Sequence, residues 1–158
     1  LFTAFDIFKK RSNNDIRLLI VGEKKWWTEP IKNAYEAMTH KDDVIFTGRL
    51  SADELHHVTA SALASVYVSY FEGFGIPIVE AFRCDTPVIT SNVTSMPEVA
   101  ADAALLIDPF DVNSIADAME KVLNDDIRKE LIEKGRIRCQ DFSWDKAAEE
   151  WWKCIMKV

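Results

Sequence analysis

The sequence predicts an α/β protein: a Rossmann-like parallel sheet with helices on both faces. Three observations lead there. Strand-like hydrophobic runs alternate with stretches of helical spacing along the chain. The runs are apolar throughout, the pattern of strands buried on both faces. Of five glycines, Gly22, Gly48, Gly73 and Gly75 close such runs, at the edge where open parallel sheets bind ligands. Plain connections between helices and strands also need turn glycines, so their placement supports a site without establishing one.

Each element can be justified in order. Leu1 to Phe8 reads as an amphipathic helix already under way, with no start methionine and nothing to cap it. This predicts a piece of a longer protein that lacks the strand feeding this helix. Asp6 and Lys9 interrupt the apolar stretch, so these residues do not follow a signal-peptide pattern. Ile16 to Val21 is a buried strand ending at Gly22, and Trp27 to His40 has helical spacing through Ile31, Ala34, Tyr35 and Met38. Val44 to Thr47 is a short strand ending at Gly48. Ser51 and Glu54 then form a capping box for the next helix. Ala64 to Tyr70 is the third strand; Pro87 to Thr90 and Ala104 to Ile107 are two more. Asp111 caps a helix whose positions Val112, Ile115, Ala116, Met119, Val122 and Leu123 share one face. Residues 127–158 read as two further helices, divided at Phe142-Ser143-Trp144 with Ser143 as N-cap.

Bulk properties narrow the function. A chain of 158 residues is one domain's worth. Its 48% hydrophobic and 28% charged residues are ordinary for a soluble globular protein. With 19 basic against 26 acidic residues it lacks the balance of a general nucleic-acid binder. No apolar run approaches the roughly 18–20 residues of a membrane span. Cys84, Cys139 and Cys154 are odd in number and widely spaced, which suggests neither a disulfide framework nor a metal site and makes a reducing, cytoplasmic setting the default. His40, His56 and His57 form no metal-ligand spacing with them and read as surface or boundary residues. Trp26 and Trp27 read as packing or hinge-side residues, and Trp151 and Trp152 as core and interdomain contacts.

The chemistry concentrates in Ser69-Tyr70-Phe71-Glu72-Gly73-Phe74-Gly75-Ile76-Pro77-Ile78-Val79-Glu80-Ala81. A strand runs into a Gly-x-Gly turn and a helix starts at once, with Pro77 in its first turn. Backbone amides gathered at a helix N-terminus suit a phosphate. Glu72 before the turn and Glu80 about one helical turn past it would repel a phosphate, so hydroxyl groups are their partners. A phosphate flanked by hydroxyls describes a nucleotide sugar. Taken alone, Glu72 could equally be a loop acid beside a helix dipole, an arrangement worth about 0.3–1 kcal/mol.

The stretch Glu72-Gly73-Phe74-Gly75-Ile76-Pro77-Ile78-Val79-Glu80-Ala81 resembles the signature of the retaining glycosyltransferases of family 4, also called group 1. Leu18 to Gly22, Val44 to Gly48, Pro87 to Asn92, Met96 to Val99, Ala103 to Pro109 and Phe142 to Trp144 are similar to the same family in the same order, so the resemblance covers nearly the whole chain. It implies a GT-B fold, with two Rossmann-like domains facing across a cleft, of which residues 1–158 would be the C-terminal domain that binds the nucleotide-sugar donor. Partners would then be the donor and a missing N-terminal acceptor domain of the same chain, with no nucleic acid. Membrane contact would come only through absent parts. The resemblance places Glu72 at the donor sugar near the reacting carbon, as the catalytic residue, and Glu80 at the ribose hydroxyls. The amides of Gly73, Phe74, Gly75 and Ile76 would meet sugar hydroxyls and distal phosphate oxygens, and Gly48, Arg49 and Leu50 would lie near the nucleobase. It implies transfer with retention at the anomeric carbon, no cofactor and no bound metal, in keeping with the absence of an Asp-x-Asp motif. The cations that neutralise the diphosphate belong to an opening segment outside this sequence, and the fragment alone would be inactive.

Two positions depart from the family pattern. Asp85 stands where a glycine past a helix end is expected at positive φ, a conformation Asp tolerates better than most residues. Val68 stands where proline is common. Two alternatives stay open: a nucleotide-sugar epimerase of the same architecture, and a Rossmann-like interaction domain that has lost catalysis.

Overall fold

The computed structural model describes residues 1–25 and 27–157. Thirteen elements alternate as α1 (Phe2–Ser12), β1 (Leu18–Val21), α2 (Glu29–Glu36), β2 (Val44–Gly48), α3 (Ala52–Ser61), β3 (Ser65–Tyr67), α4 (Ile76–Arg83), β4 (Val88–Ser91), α5 (Met96–Ala100), β5 (Ala104–Ile107), α6 (Val112–Lys121), α7 (Asp125–Arg138) and α8 (Trp144–Ile155). The expected helix starts are present. Ser51 and Glu54 form a reciprocal capping box at α3. The Asp111 carboxylate accepts from the Asn113 amide at 2.8 Å, and the Ser143 hydroxyl caps α8. Asn124, unanticipated, caps α7.

Every strand pair is parallel, but the strands divide into two sheets, β1-β2 and β3-β4-β5, where one sheet was expected. In the doubly wound order 3-2-1-4-5-6 the first strand lies between the second and fourth. The observed β2-β1 and β3-β4-β5 are that order with its first strand left out.

Both sheets share a core. Leu18 and Val44 of the first pack in one cluster with Ile89 and Ile107 of the second, under Phe5 and Phe8 of α1 and Ile115 and Met119 of α6. A second cluster joins Val88 to Ile78 and Phe82 of α4 and Met96 of α5. Neighbouring residues Val88 and Ile89, both fully buried, therefore point into opposite clusters, the two-face coverage that the apolar strands predict.

Three elements are shorter than their hydrophobic runs because side chains capture the backbone first. Ahead of β1, the Ile16 amide donates to Asn14 Oδ1 and its carbonyl accepts from Lys9 Nζ at 3.0 Å. Beyond α2, the amides of Thr39 and His40 donate to Asp6 Oδ1, each at 2.9 Å. At the end of β3, the buried hydroxyls of Thr90 and Ser91 donate to the carbonyls of Tyr67 and Ser69.

The tryptophan readings separate. Trp27 packs edge-on against Phe2, Tyr35 and Phe46, whereas Trp26 lies outside the described residues. Trp151 and Trp152 stand exposed, as expected of interdomain aromatics in a truncated piece, but not in the core: α8 buries none of its residues, and its apolar face has no partner among the described residues. Asp85 does adopt positive φ, at 55°, and its carboxylate is held by both Nε and Nη2 of Arg136 at 2.7 Å. Asp85→Ala, which keeps a Cβ in the left-handed region and removes this exposed pair, is expected to lower stability by about 1 kcal/mol. Asp85→Gly, freed of the strain, should lose less in the same urea titration.

Candidate active site

The loop between β3 and α4 is built by its neighbours. The segment after β4, with Thr94 at a φ of 55°, carries two hydroxyls to it. The Glu72 amide donates to Thr94 Oγ1 at 3.3 Å. Ser95 Oγ lies 2.9 Å from both the Glu72 and Phe74 carbonyls, so its proton bridges the two. Gly75 then turns the chain at φ 108° and ψ 49° and forms the N-cap of α4. It is buried, and a Cβ added there would stand 3.1 Å from Ile78 Cδ1. Glycine caps α4 without a side chain, so the helix start keeps its amide dipoles for a ligand, with Pro77 contributing no N–H.

The two glutamates occupy opposite ends of this unit. Glu72, half-buried, lies beside the Tyr67 hydroxyl, and burial together with the charge and hydrogen bonding of Glu72 pushes that phenol up to about 12. Tyr67 is therefore a proton donor toward Glu72 at neutral pH. Glu80 is also half-buried, on the side of α4 away from Ile78, Val79, Ala81 and Phe82, which are packed in the core. Cys84 lies one turn further on; burial, then the negative charges of Glu80 and Asp85, push its thiol up. Such a unit can accept hydroxyl hydrogens at both carboxylates while presenting amides between them.

Glu72, Gly73, Phe74, Gly75, Ile76 and Glu80 thus form one continuous structure. Gly48, Arg49 and Leu50 belong to the other sheet, at the end of β2. There Gly48, at a φ of 69°, accepts from the Gly22 amide at 2.8 Å and ties together the loops after β1 and β2. Arg49 is exposed and Leu50 half-buried. Nearby, Lys24 Nζ sits 3.7 Å above the Phe46 ring, a fixed cation that the sequence does not announce because Phe46 and Trp27 reach it from different elements. Tyr67, Thr94 and Ser95 were also unforeseen. Tyr67 reads as a core strand residue, and only contact across strands brings the two hydroxyls under Glu72. Among the described residues, no group of three His, Cys, Asp or Glu side chains could hold a metal ion.

A parallel α/β layer with a braced acid–glycine–acid loop at a strand end carries its candidate site where open α/β sheets bind ligands. Comparison with known proteins specifies it. The family model for glycosyl transferases group 1 matches residues 1–138, and the chain belongs to that family. It is 32% identical over 151 residues to O-antigen chain mannosyltransferase B of Escherichia coli, which covers 95% of this chain and 40% of that one. To O-antigen chain mannosyltransferase RfbU of Salmonella typhimurium it is 33% identical over 114 residues, covering 72% of this chain and 32% of that one. Among solved structures, sucrose-phosphate synthase from Thermosynechococcus elongatus superposes with a TM-score of 0.81 and 26% identity, over 99% of this chain and 41% of that one. The fold is one half of a GT-B glycosyltransferase, and the chain spans about two-fifths of the first of these relatives.

Proposed function

We propose that residues 1–158 are the donor-binding C-terminal part of a retaining glycosyltransferase that moves a sugar from a nucleoside-diphosphate sugar to an acceptor hydroxyl. The carrying observation is the unit around Gly75, where an uncapped helix start lies between two half-buried carboxylates in a loop fixed by Thr94 and Ser95. Glu80 holds the ribose hydroxyls. Glu72, supported by Tyr67, takes hydroxyls of the donor sugar beside the anomeric carbon. The amides of Gly73, Phe74, Gly75 and Ile76 meet sugar hydroxyls and distal phosphate oxygens, and Gly48, Arg49 and Leu50 flank the base. The relatives' names favour mannose as the sugar and a growing surface glycan as the acceptor. Catalysis takes place in the cytoplasm with the N-terminal acceptor half of the same protein, without metal or other cofactor. No helix of the described residues is long and apolar enough to cross a membrane.

The test uses the complete protein and a panel of guanosine, uridine and adenosine diphosphate sugars. Glu80→Ala is expected to weaken nucleotide binding in calorimetry by about tenfold, the loss of a charge-assisted hydrogen-bond pair worth about 1–3 kcal/mol. An unchanged affinity would remove Glu80 from the site. Conversion of the donor sugar with no acceptor present would mark an epimerase instead.

A further inference from the structure

One exposed feature beside this unit lies outside the residues assigned to the donor. Tyr70 and Phe110 stack with ring centroids 4.9 Å apart and planes 16° apart, yet they are 63% and 73% exposed. Tyr70 follows β3 and Phe110 follows β5, and β4 lies between those strands. The stacked pair therefore spans the carboxyl end of β4.

The backbone under each ring is fixed. Beside Tyr70, the Ser69 carbonyl accepts from the fully buried Ser91 hydroxyl at 2.7 Å, and Glu72 is held by Thr94 and Ser95. On the other side, the Phe110 amide donates to Asp108 Oδ1 at 2.9 Å, and the Asp108 amide donates to Ser114 Oγ at 3.1 Å. Stacking contributes about 0.5–1.5 kcal/mol to such a pair, which explains the mutual contact. It does not explain two large rings left facing solvent on a braced platform.

The surroundings define the ligand. Acidic residues flank the pair in sequence: Glu72 two residues past Tyr70, and Asp108 and Asp111 on either side of Phe110, each aspartate also holding one backbone amide. The segments 69–76 and 107–111 contain no Lys or Arg. A charged phosphate finds no side-chain cation at the rings themselves. A pyranose is suited, since it offers an apolar C–H face to an aromatic ring and hydroxyls at its edge to carboxylate oxygens.

We propose that Tyr70 and Phe110 form the stacking platform for a sugar ring of the acceptor, held beside the Glu72 loop. This reading rests on the transferase function above and adds to it the place where a sugar ring of the acceptor is held. The base of the donor is assigned to the other sheet, so the platform and the nucleotide subsite are separable by substitution.

The test titrates the complete protein, loaded with a nucleoside diphosphate, with α-linked disaccharides of mannose, glucose and galactose. Tyr70→Ala and Phe110→Ala are each expected to lower the affinity for the best-bound disaccharide by about five- to tenfold. Tyr70→Phe should keep it, and nucleoside-diphosphate affinity should stay within about twofold in all three variants. Both side chains are exposed, and thermal melts of each variant verify the fold. Three results overturn the platform. Saccharide affinity could be unchanged in both alanine variants, as it would be if another part of the protein or a second copy covered the rings. Nucleotide affinity could fall in parallel, which would put the donor on the rings. Or the wild-type protein could bind none of the three disaccharides. Failure of the donor reading looks different: the wild type then binds no nucleoside diphosphate, whatever it does with saccharides.

Discussion

Glu72→Gln in the complete protein is expected to lower turnover about 100-fold and leave affinity for the bare nucleoside diphosphate within about twofold. Glutamine keeps the size and one acceptor oxygen of the side chain, so the Tyr67 hydroxyl retains a partner. The loop braces from Thr94 and Ser95 reach the backbone and are untouched. On the proposed reading, what is lost is the negative charge facing the sugar while positive charge develops at its anomeric carbon. A charged hydrogen bond of this kind is worth about 1.5–3 kcal/mol, and removing one preorganised electrostatic contact typically costs about 100-fold in turnover. Steady-state rates with saturating donor and acceptor decide it. Wild-type turnover would show that Glu72 has no part in the chemistry. An equal loss in nucleotide binding would show that it serves the nucleotide and not the sugar.

Gly75→Val should strike fold and site together. A β-branched residue at φ 108° costs about 1–3 kcal/mol in backbone strain. The new Cβ also meets Ile78 Cδ1 at 3.1 Å, and Ile78 is completely buried with no room to yield. We expect a loss of about 3 kcal/mol in urea unfolding of the complete protein, together with weakened donor binding as the start of α4 shifts. Gly73→Ala is the control. Gly73 has an ordinary φ, and nothing lies within 4 Å of an added Cβ, so its stability should change by less than about 0.5 kcal/mol. Equal stability of the Gly75→Val protein would mean that the turn does not require this conformation.

The order of elements could be read from the chain because its local signals agree. Ser51 with Glu54, Asp111, Ser143 and Pro77 each mark a helix start that is found in place, and the uninterrupted apolar runs mark strands covered on both faces. Element lengths were less legible. Hydrophobicity continues through Ile16 and Val68, while strand pairing stops where Asn14, Lys9 and Ser91 divert the backbone, and those competitors are distant or side-chain groups. The same limit holds at the site. The acid–glycine–acid run is contiguous and visible, whereas Tyr67, Thr94, Ser95 and the stacking of Tyr70 on Phe110 arise from adjacency of β3, β4 and β5. The gap between β1 and β3 agrees with the missing opening strand that the sequence reading expects, whereas its position depends on strand order, which no single strand reveals.

That interruption governs how these residues behave as a polypeptide by themselves. Leu19 and Val21 of β1 are 40% and 39% exposed, and β1 and β3 each have a strand partner on one side only. Bare rims of this kind recruit extended chains, including copies of the same molecule. Self-association at high concentration is therefore an intrinsic tendency of the 158 residues. A parallel strand seated between β1 and β3 would pair both of these edges, leaving β2 and β5 as the outer ones, and join the two sheets. Colloidal behaviour is thus set at that seam.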